Sequence, residues 1–82
     1  MNAVTDIRNH ASMFNWTCHQ DNNHTTCIHG QHMIAIDYNN AGTVAEAKRY
    51  EFYRITEPEL RECAVGRNKR ATVVSWLVNL GS

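Results

Sequence analysis

The sequence predicts an α+β fold with a short β hairpin or small sheet in the N-terminal half and two to three short helices in the C-terminal half. Two observations predict this arrangement. Apolar and polar residues alternate over residues 31–38, as in a strand, and helix-capping signals with helical apolar spacing follow residue 43. A chain of 82 residues is short for more than one core, so we expect residues 1–82 to form a single small domain.

The N-terminal region is predicted to begin with a short helix. Thr5 or Asp6 is placed to cap it, and Ile7, Ala11 and Phe14 recur at i, i+4 and i+7. This spacing gives the helix one apolar face.

Residues 31–38 are the clearest predicted strand, because Ile34, Ile36 and Tyr38 fall on one side and Met33 and Asp37 fall on the other. Residues 13–18 are the proposed partner of this strand, since their aromatic and Thr side chains suit a pleated surface. The Asn pairs at 22–23 and 39–40 predict turns, because Asn tolerates left-handed backbone conformations.

Two capping boxes predict two helices in the second half. Thr43 with Glu46 begins a helix over residues 44–54, although the aromatic residues in that stretch also suit a strand. Thr56 with Glu59 begins a shorter helix that ends near residue 65. A third helix is predicted over residues 70–80, where apolar residues recur at i, i+3, i+4 and i+7, although the valines in that stretch also suit a strand.

The sequence concentrates cysteine and histidine between residues 18 and 32. Thiolate and neutral imidazole are the ligands that zinc prefers, and a structural zinc ion adds folding energy to a small domain. The predicted zinc ligands are Cys18, His24, Cys27 and His32, with His19 and His29 as alternates.

Two other interpretations of this cluster stay open. In the first, the residues of the cluster are ordinary polar groups on the surface together with a small buried thiol, because free Cys often packs like a small hydrophobic side chain. A disulfide between Cys18 and Cys27 is the other possibility. The odd number of cysteines and a reducing cytosol both disfavour the disulfide.

Composition excludes several classes of protein. The formal net charge is zero, which argues against a nucleic-acid coat protein and against an acidic mimic of DNA. No apolar run approaches the roughly 20 residues that cross a bilayer, and the N-terminus lacks the basic and apolar regions of a signal peptide. We therefore expect a cytoplasmic protein without a membrane partner. The sequence also lacks a Gly-rich phosphate loop and a G-x-S-x-G motif, so we expect no enzyme activity.

Residues 55–81 resemble a helix-turn-helix, with a short capped helix, a turn at Gly66 and a second apolar-striped helix. In that family the N-terminal residues of the second helix enter the major groove of DNA. The resemblance implies DNA as a partner and a nucleic-acid-binding segment formed by Arg67, Asn68, Lys69, Arg70 and Thr72.

Aromatic residues are numerous for so small a core, so some are expected at a protein interface, namely Trp16, Tyr50 and Tyr53. The sequence therefore predicts a small non-enzymatic binding protein. It would inhibit or adapt a larger host protein or nucleoprotein complex by occupying its surface, as small virus or mobile-element proteins do. The alternative is a helix-turn-helix-like DNA-binding regulator with a zinc-stabilised Cys/His loop. A homodimer is compatible with either function.

Overall fold

The computed structural model describes residues 2–52 and 57–81. Five strands form one antiparallel sheet in the order β1-β2-β3-β4-β5, so each strand pairs with its neighbour in sequence. The elements in chain order are α1 (Ala3–Met13), β1 (Thr17–Asp21), β2 (His24–His29), β3 (His32–Tyr38), β4 (Val44–Glu51), β5 (Glu59–Cys63) and α2 (Lys69–Leu80).

The two helices contact each other, and they also contact β1 and β4 on one side of the sheet, which we call the inner face. Ile34 and Ile36 of β3 are fully buried beneath them. The helices contribute the buried residues Ala3, Ile7, Ala11, Val73, Trp76 and Leu77 to the same cluster. Because side chains alternate along a strand, the neighbours of the buried strand residues point away from the helices.

Asparagine shapes the turns as predicted. Asn22 has a φ of 53° in the turn between β1 and β2, a conformation that Asn adopts more readily than most residues. The side-chain oxygen of Asn39 accepts hydrogen bonds from the amides of Ala41 (3.0 Å) and Thr43 (3.1 Å) between β3 and β4. These short turns make the sheet a simple meander.

The predicted architecture is wrong, because the chain is mostly sheet. Residues 44–51 form β4 and residues 59–63 form β5, where helices were expected. A capping box is a local signal, and here pairing with β3 prevails over it: Ala47 lies opposite Ile36 and is fully buried. Residues 53–56, including the predicted cap at Thr56, lie outside the described residues.

Other elements agree with the sequence. The N-terminal helix is present as α1, but its cap is Asn2, whose side chain accepts from the Thr5 amide at 3.0 Å. The strand over residues 31–38 is present as β3, and the last predicted helix is present as α2. The proposed pairing of residues 13–18 with that strand is wrong, because β3 pairs with β2 and β4.

Ion pairs hold the exposed strand β5 against β4 on the inner face. The Arg49 guanidinium lies 3.3 Å from a Glu51 carboxylate oxygen and 3.0 Å from one of Glu62. Arg61 adds a contact of 3.4 Å to Glu51. Charged side chains on an edge strand also discourage pairing with strands of other molecules.

Candidate functional site

An apolar row crosses the side of the sheet that faces away from the helices, which we call the outer face. The strand register places Ile28 opposite Met33, Met33 opposite Tyr50, and Tyr50 opposite Leu60. Directly opposite residues of antiparallel strands point to the same side of a sheet. These four side chains, the outer row, therefore form a continuous line over β2, β3, β4 and β5.

The outer row is accessible to solvent and to partners. Ile28 is 43% exposed and Leu60 is 49% exposed, and Met33 and Tyr50 between them are partly exposed. Neither helix covers this side, since both contribute their buried residues to the inner-face cluster. Scattered apolar residues on a surface are ordinary, whereas a contiguous patch marks an interaction site.

Polar and charged groups occupy the opposite end of the same face, which we call the charged border. The register places Asp21, His24, Asp37 and Glu46 side by side across β1, β2, β3 and β4. Lys48 lies between this border and the outer row, and its ammonium group is 3.0 Å from Glu46. That carboxylate raises the pKa of Lys48. The outer face is therefore apolar toward one end of the strands and charged toward the other.

A carboxylate, an imidazole and a hydroxyl are in hydrogen-bonding contact within this border. The Nδ1 of His24 lies 2.6 Å from Asp37 Oδ1, and its Nε2 lies 3.0 Å from Thr26 Oγ1. The same order of groups activates a nucleophile in some hydrolases. Here the backbone on both sides of the three groups is paired with neighbouring strands, and we interpret the arrangement as a polar contact across β2 and β3.

The structure does not assemble the predicted zinc ligands. Cys18 and Cys27 lie opposite each other on β1 and β2 and form a disulfide, the interpretation that the sequence disfavoured. His24 points to the outer face because it is three residues from Cys27 and strand side chains alternate. His32 lies near Glu51, with 3.8 Å between Nδ1 and Oε1. Within residues 2–52 and 57–81, no group of three or more His, Cys, Asp or Glu is placed to hold a metal.

The alternate ligands also have other contacts. The Nδ1 of His29 is 3.0 Å from the Asn15 carbonyl oxygen, and its ring lies 5.5 Å from that of Trp16. His19 is exposed on β1, opposite Thr26. Cys63, the third cysteine, is an exposed free thiol on β5.

The predicted nucleic-acid-binding segment lies at the start of α2. The described residues before it do not form the first helix of a helix-turn-helix, because residues 59–63 form β5. A cavity of about 320 Å³ lies there and is also lined by Asn2 and residues 41–44. Four of the five predicted residues line this cavity, namely Arg67, Asn68, Lys69 and Arg70.

Several of these side chains support the fold. Asn68 caps α2 by accepting from the Ala71 amide at 3.2 Å, and Thr72 Oγ1 lies 3.4 Å from the Asn68 carbonyl oxygen. Lys69 donates to the Gly66 carbonyl oxygen at 2.9 Å. Arg70 donates to Asp6 at 2.7 Å, and this contact lowers the pKa of the Asp6 carboxyl.

The predicted interface residues separate into different environments. Trp16 is only 6% exposed and belongs to the core. Tyr50 lies in the outer row, and Tyr53 lies outside the described residues. Sequence reasoning missed Ile28 and Leu60 as members of this surface. Two signals did point to the outer row: the alternation over residues 31–38 placed Met33 on the side opposite the core, and Tyr50 was expected at an interface.

Comparison with known proteins finds no matching family model, no matching curated protein and no matching solved structure. No helix within the described part of the chain is long and apolar enough to cross a membrane.

Proposed function

We propose that this protein is a non-enzymatic binding protein that docks its outer face on a larger protein and blocks or adapts that partner's surface. The observation that carries the proposal is the outer row, an apolar line over four paired strands that neither α1 nor α2 covers. Tyr50 lies in the interior of the row, and Tyr is among the residues most often found at the energetic centre of interfaces.

The layout of the outer face supports a protein partner over nucleic acid. Three carboxylates, those of Asp21, Asp37 and Glu46, lie in the charged border, whereas Lys48 is the only Lys or Arg that the described strand residues place on this face, and it is paired with Glu46. Phosphate groups would be repelled by such a border. Apolar side chains of a partner would lose solvent-exposed area against the row, and its cations would face the carboxylates.

Site-specific photocrosslinking tests the proposal. A photoreactive phenylalanine replaces Tyr50, and the matched control places it at Val65, which is 78% exposed in the loop before α2. In native extract we expect one stoichiometric adduct from position 50 and none from position 65. The captured protein, once purified, should bind Ile28→Glu at least about tenfold more weakly than wild type. Equal adducts from both positions, or equal binding of Ile28→Glu, would reject the outer face as the docking site.

A second candidate function is binding of a phosphate-bearing ligand such as DNA at the start of α2. The observation that favours it is the cavity lined by Arg67, Lys69 and Arg70. Arg67→Ala should then weaken binding to DNA of any sequence and flatten its dependence on salt. Affinity that does not change with salt would remove this candidate. A zinc-stabilised loop is not part of it, because His24 and Cys27 lie on opposite faces of β2 and the described residues contain no group placed to hold a metal.

We propose the cytoplasm as the compartment, and the disulfide provides the test. Cytosolic thiols are kept reduced, whereas oxidising compartments preserve disulfides. Cells are lysed in acid with a thiol-blocking reagent, and the state of Cys18 and Cys27 is read by mass spectrometry. A reduced pair is expected in the cytoplasm, and a fully oxidised pair would contradict this location.

A further inference from the structure

We propose that the outer face of one molecule packs against the outer face of a second copy, so that the free protein is a two-fold symmetric dimer. The inference rests on the proposed function in one respect, since both assign binding to the same face. It adds a regulatory step: the dimer covers the docking surface, and the larger partner must displace the second copy to reach it.

The outer row is self-complementary about its central strand. A two-fold axis along β3, midway between the two sheets, places each cross-strand row opposite itself and exchanges β2 with β4. Met33 then meets Met33 of the second copy, and Ile28 meets Tyr50. Leu60, on β5, meets the end of β1, where Thr17 continues the row. Apolar side chains thus face apolar side chains over β2, β3 and β4.

The charged border is compatible with the same axis. Exchange of β2 with β4 places His24 opposite Glu46 and brings Lys48 over Thr26, beside Asp37. Asp37 faces its own copy, but its carboxylate already bonds His24 at 2.6 Å. The formal net charge of the chain is zero, so two copies approach without long-range repulsion.

The available area sets the strength of this dimer. Five strands about 4.8 Å apart, each about six residues long, give the face a footprint of roughly 450 Å². Two copies would therefore bury about 900 Å² in total, slightly less than the roughly 1,000 Å² that a specific interface usually exceeds. We expect a dissociation constant in the micromolar range, weak enough for a larger partner to displace the second copy.

Sedimentation equilibrium from about 1 to 500 µM tests the dimer. The expected mass rises with concentration from the 9.4 kDa of one chain to twice that value. Met33→Glu should stay monomeric, because the axis passes between the two copies of this residue and would place two carboxylates against each other. Val65→Glu, at an exposed position outside the outer face, should dimerise like wild type.

A pair of oppositely charged variants distinguishes loss of the dimer contact from misfolding of a single variant. Met33→Glu and Met33→Lys should each be monomeric, and an equimolar mixture should form a heterodimer, because the axis brings the two opposite charges together. Monomers alone and in the mixture, or a dimer of Met33→Glu as tight as wild type, would overturn the inference. The proposed function is judged separately: a partner adduct from position 50 at protein concentrations below 1 µM supports it whether or not the dimer exists.

Discussion

The indole nitrogen of Trp16 donates a hydrogen bond to the carbonyl oxygen of Leu77 at 3.0 Å, which joins the residue before β1 to the last turn of α2. These residues are 61 positions apart in the chain. The contact gives Trp16 a structural role, although the sequence predicted it at an interface. Trp16 and Tyr50 therefore allow the structural and the binding functions of the aromatic residues to be separated by mutation.

Trp16→Ala should lower the free energy of unfolding by about 3–5 kcal/mol, since it removes a buried aromatic side chain and leaves a cavity. Trp16→Phe should cost about 1–2 kcal/mol, because the ring stays but the hydrogen bond is lost. Tyr50→Ala, in the partly exposed outer row, should cost about 1 kcal/mol or less. Chemical denaturation of the three variants measures this order, and a larger loss for Tyr50→Ala than for Trp16→Ala would contradict it.

Reduction of the Cys18–Cys27 disulfide should lower the free energy of unfolding by about 2–3 kcal/mol, the value expected for a closed loop of about ten residues. Denaturation with and without a phosphine reductant measures the difference. Cys63→Ser is the matched control, because that thiol is free and exposed, and it should leave the difference unchanged. Equal stability of the oxidised and reduced protein would show that the crosslink does not constrain the unfolded chain.

The ion pair between Asp6 and Arg70 predicts a pH dependence of stability. Arg70 holds the pKa of Asp6 below its usual value, so the native state favours the ionised carboxylate. The resulting stabilisation is present above the unfolded pKa, near 4, and is lost as pH falls through the lower folded pKa. We expect wild type to exceed Asp6→Asn by about 0.5–1 kcal/mol between pH 5 and 7.

The stability difference between wild type and Asp6→Asn should shrink below about pH 4. Arg70→Gln serves as the companion variant, because it removes the cation and keeps the carboxylate. In the Arg70→Gln variant, the pH-dependent stability difference between Asp6 and Asp6→Asn should largely disappear. A difference that grows on acidification would reverse the sign of this prediction and contradict the assigned pair.

Gly81→Ala should destabilise the protein by about 1–3 kcal/mol through overpacking. A Cβ at this position would lie 2.6 Å from both the Leu77 carbonyl oxygen and the Cβ of Phe14. Ser75→Ala, at an exposed position of α2, should change stability by less than about 0.5 kcal/mol. Thermal denaturation of both variants compares them, and a neutral Gly81→Ala would mean that the end of α2 shifts freely.

The elements that were predicted correctly are those whose signal lies within one continuous stretch of sequence. Alternation over residues 31–38 gave β3, and the apolar spacing of residues 73, 76, 77 and 80 gave α2. The error over residues 44–51 has a physical reason, since Thr43 and Glu46 fit a capping box whatever follows them. That stretch is a strand because it pairs with β3 and buries Ala47, and pairing partners are not encoded within the stretch itself.

The site was less predictable because it depends on register and on which face each side chain occupies. The spacing of Cys18, His24, Cys27 and His32 is compatible with a metal-binding loop, but strand alternation directs His24 and Cys27 to opposite faces. The outer row likewise brings residues 28, 33, 50 and 60 into line only after four strands are paired. Such a surface is visible in the structure and not in any single segment of the sequence.

Oxidative footprinting of the two methionines Met33 and Met13 tests the central claim most directly. Met33 lies in the outer row, and Met13 is 70% exposed at the end of α1. With the protein kept below 1 µM so that copies stay apart, dilute peroxide is applied to the isolated protein and to the protein in native extract. We predict that Met33 is oxidised several-fold more slowly in the extract while Met13 is unaffected. Equal rates for Met33 under both conditions would contradict the assignment of the outer face as the docking surface.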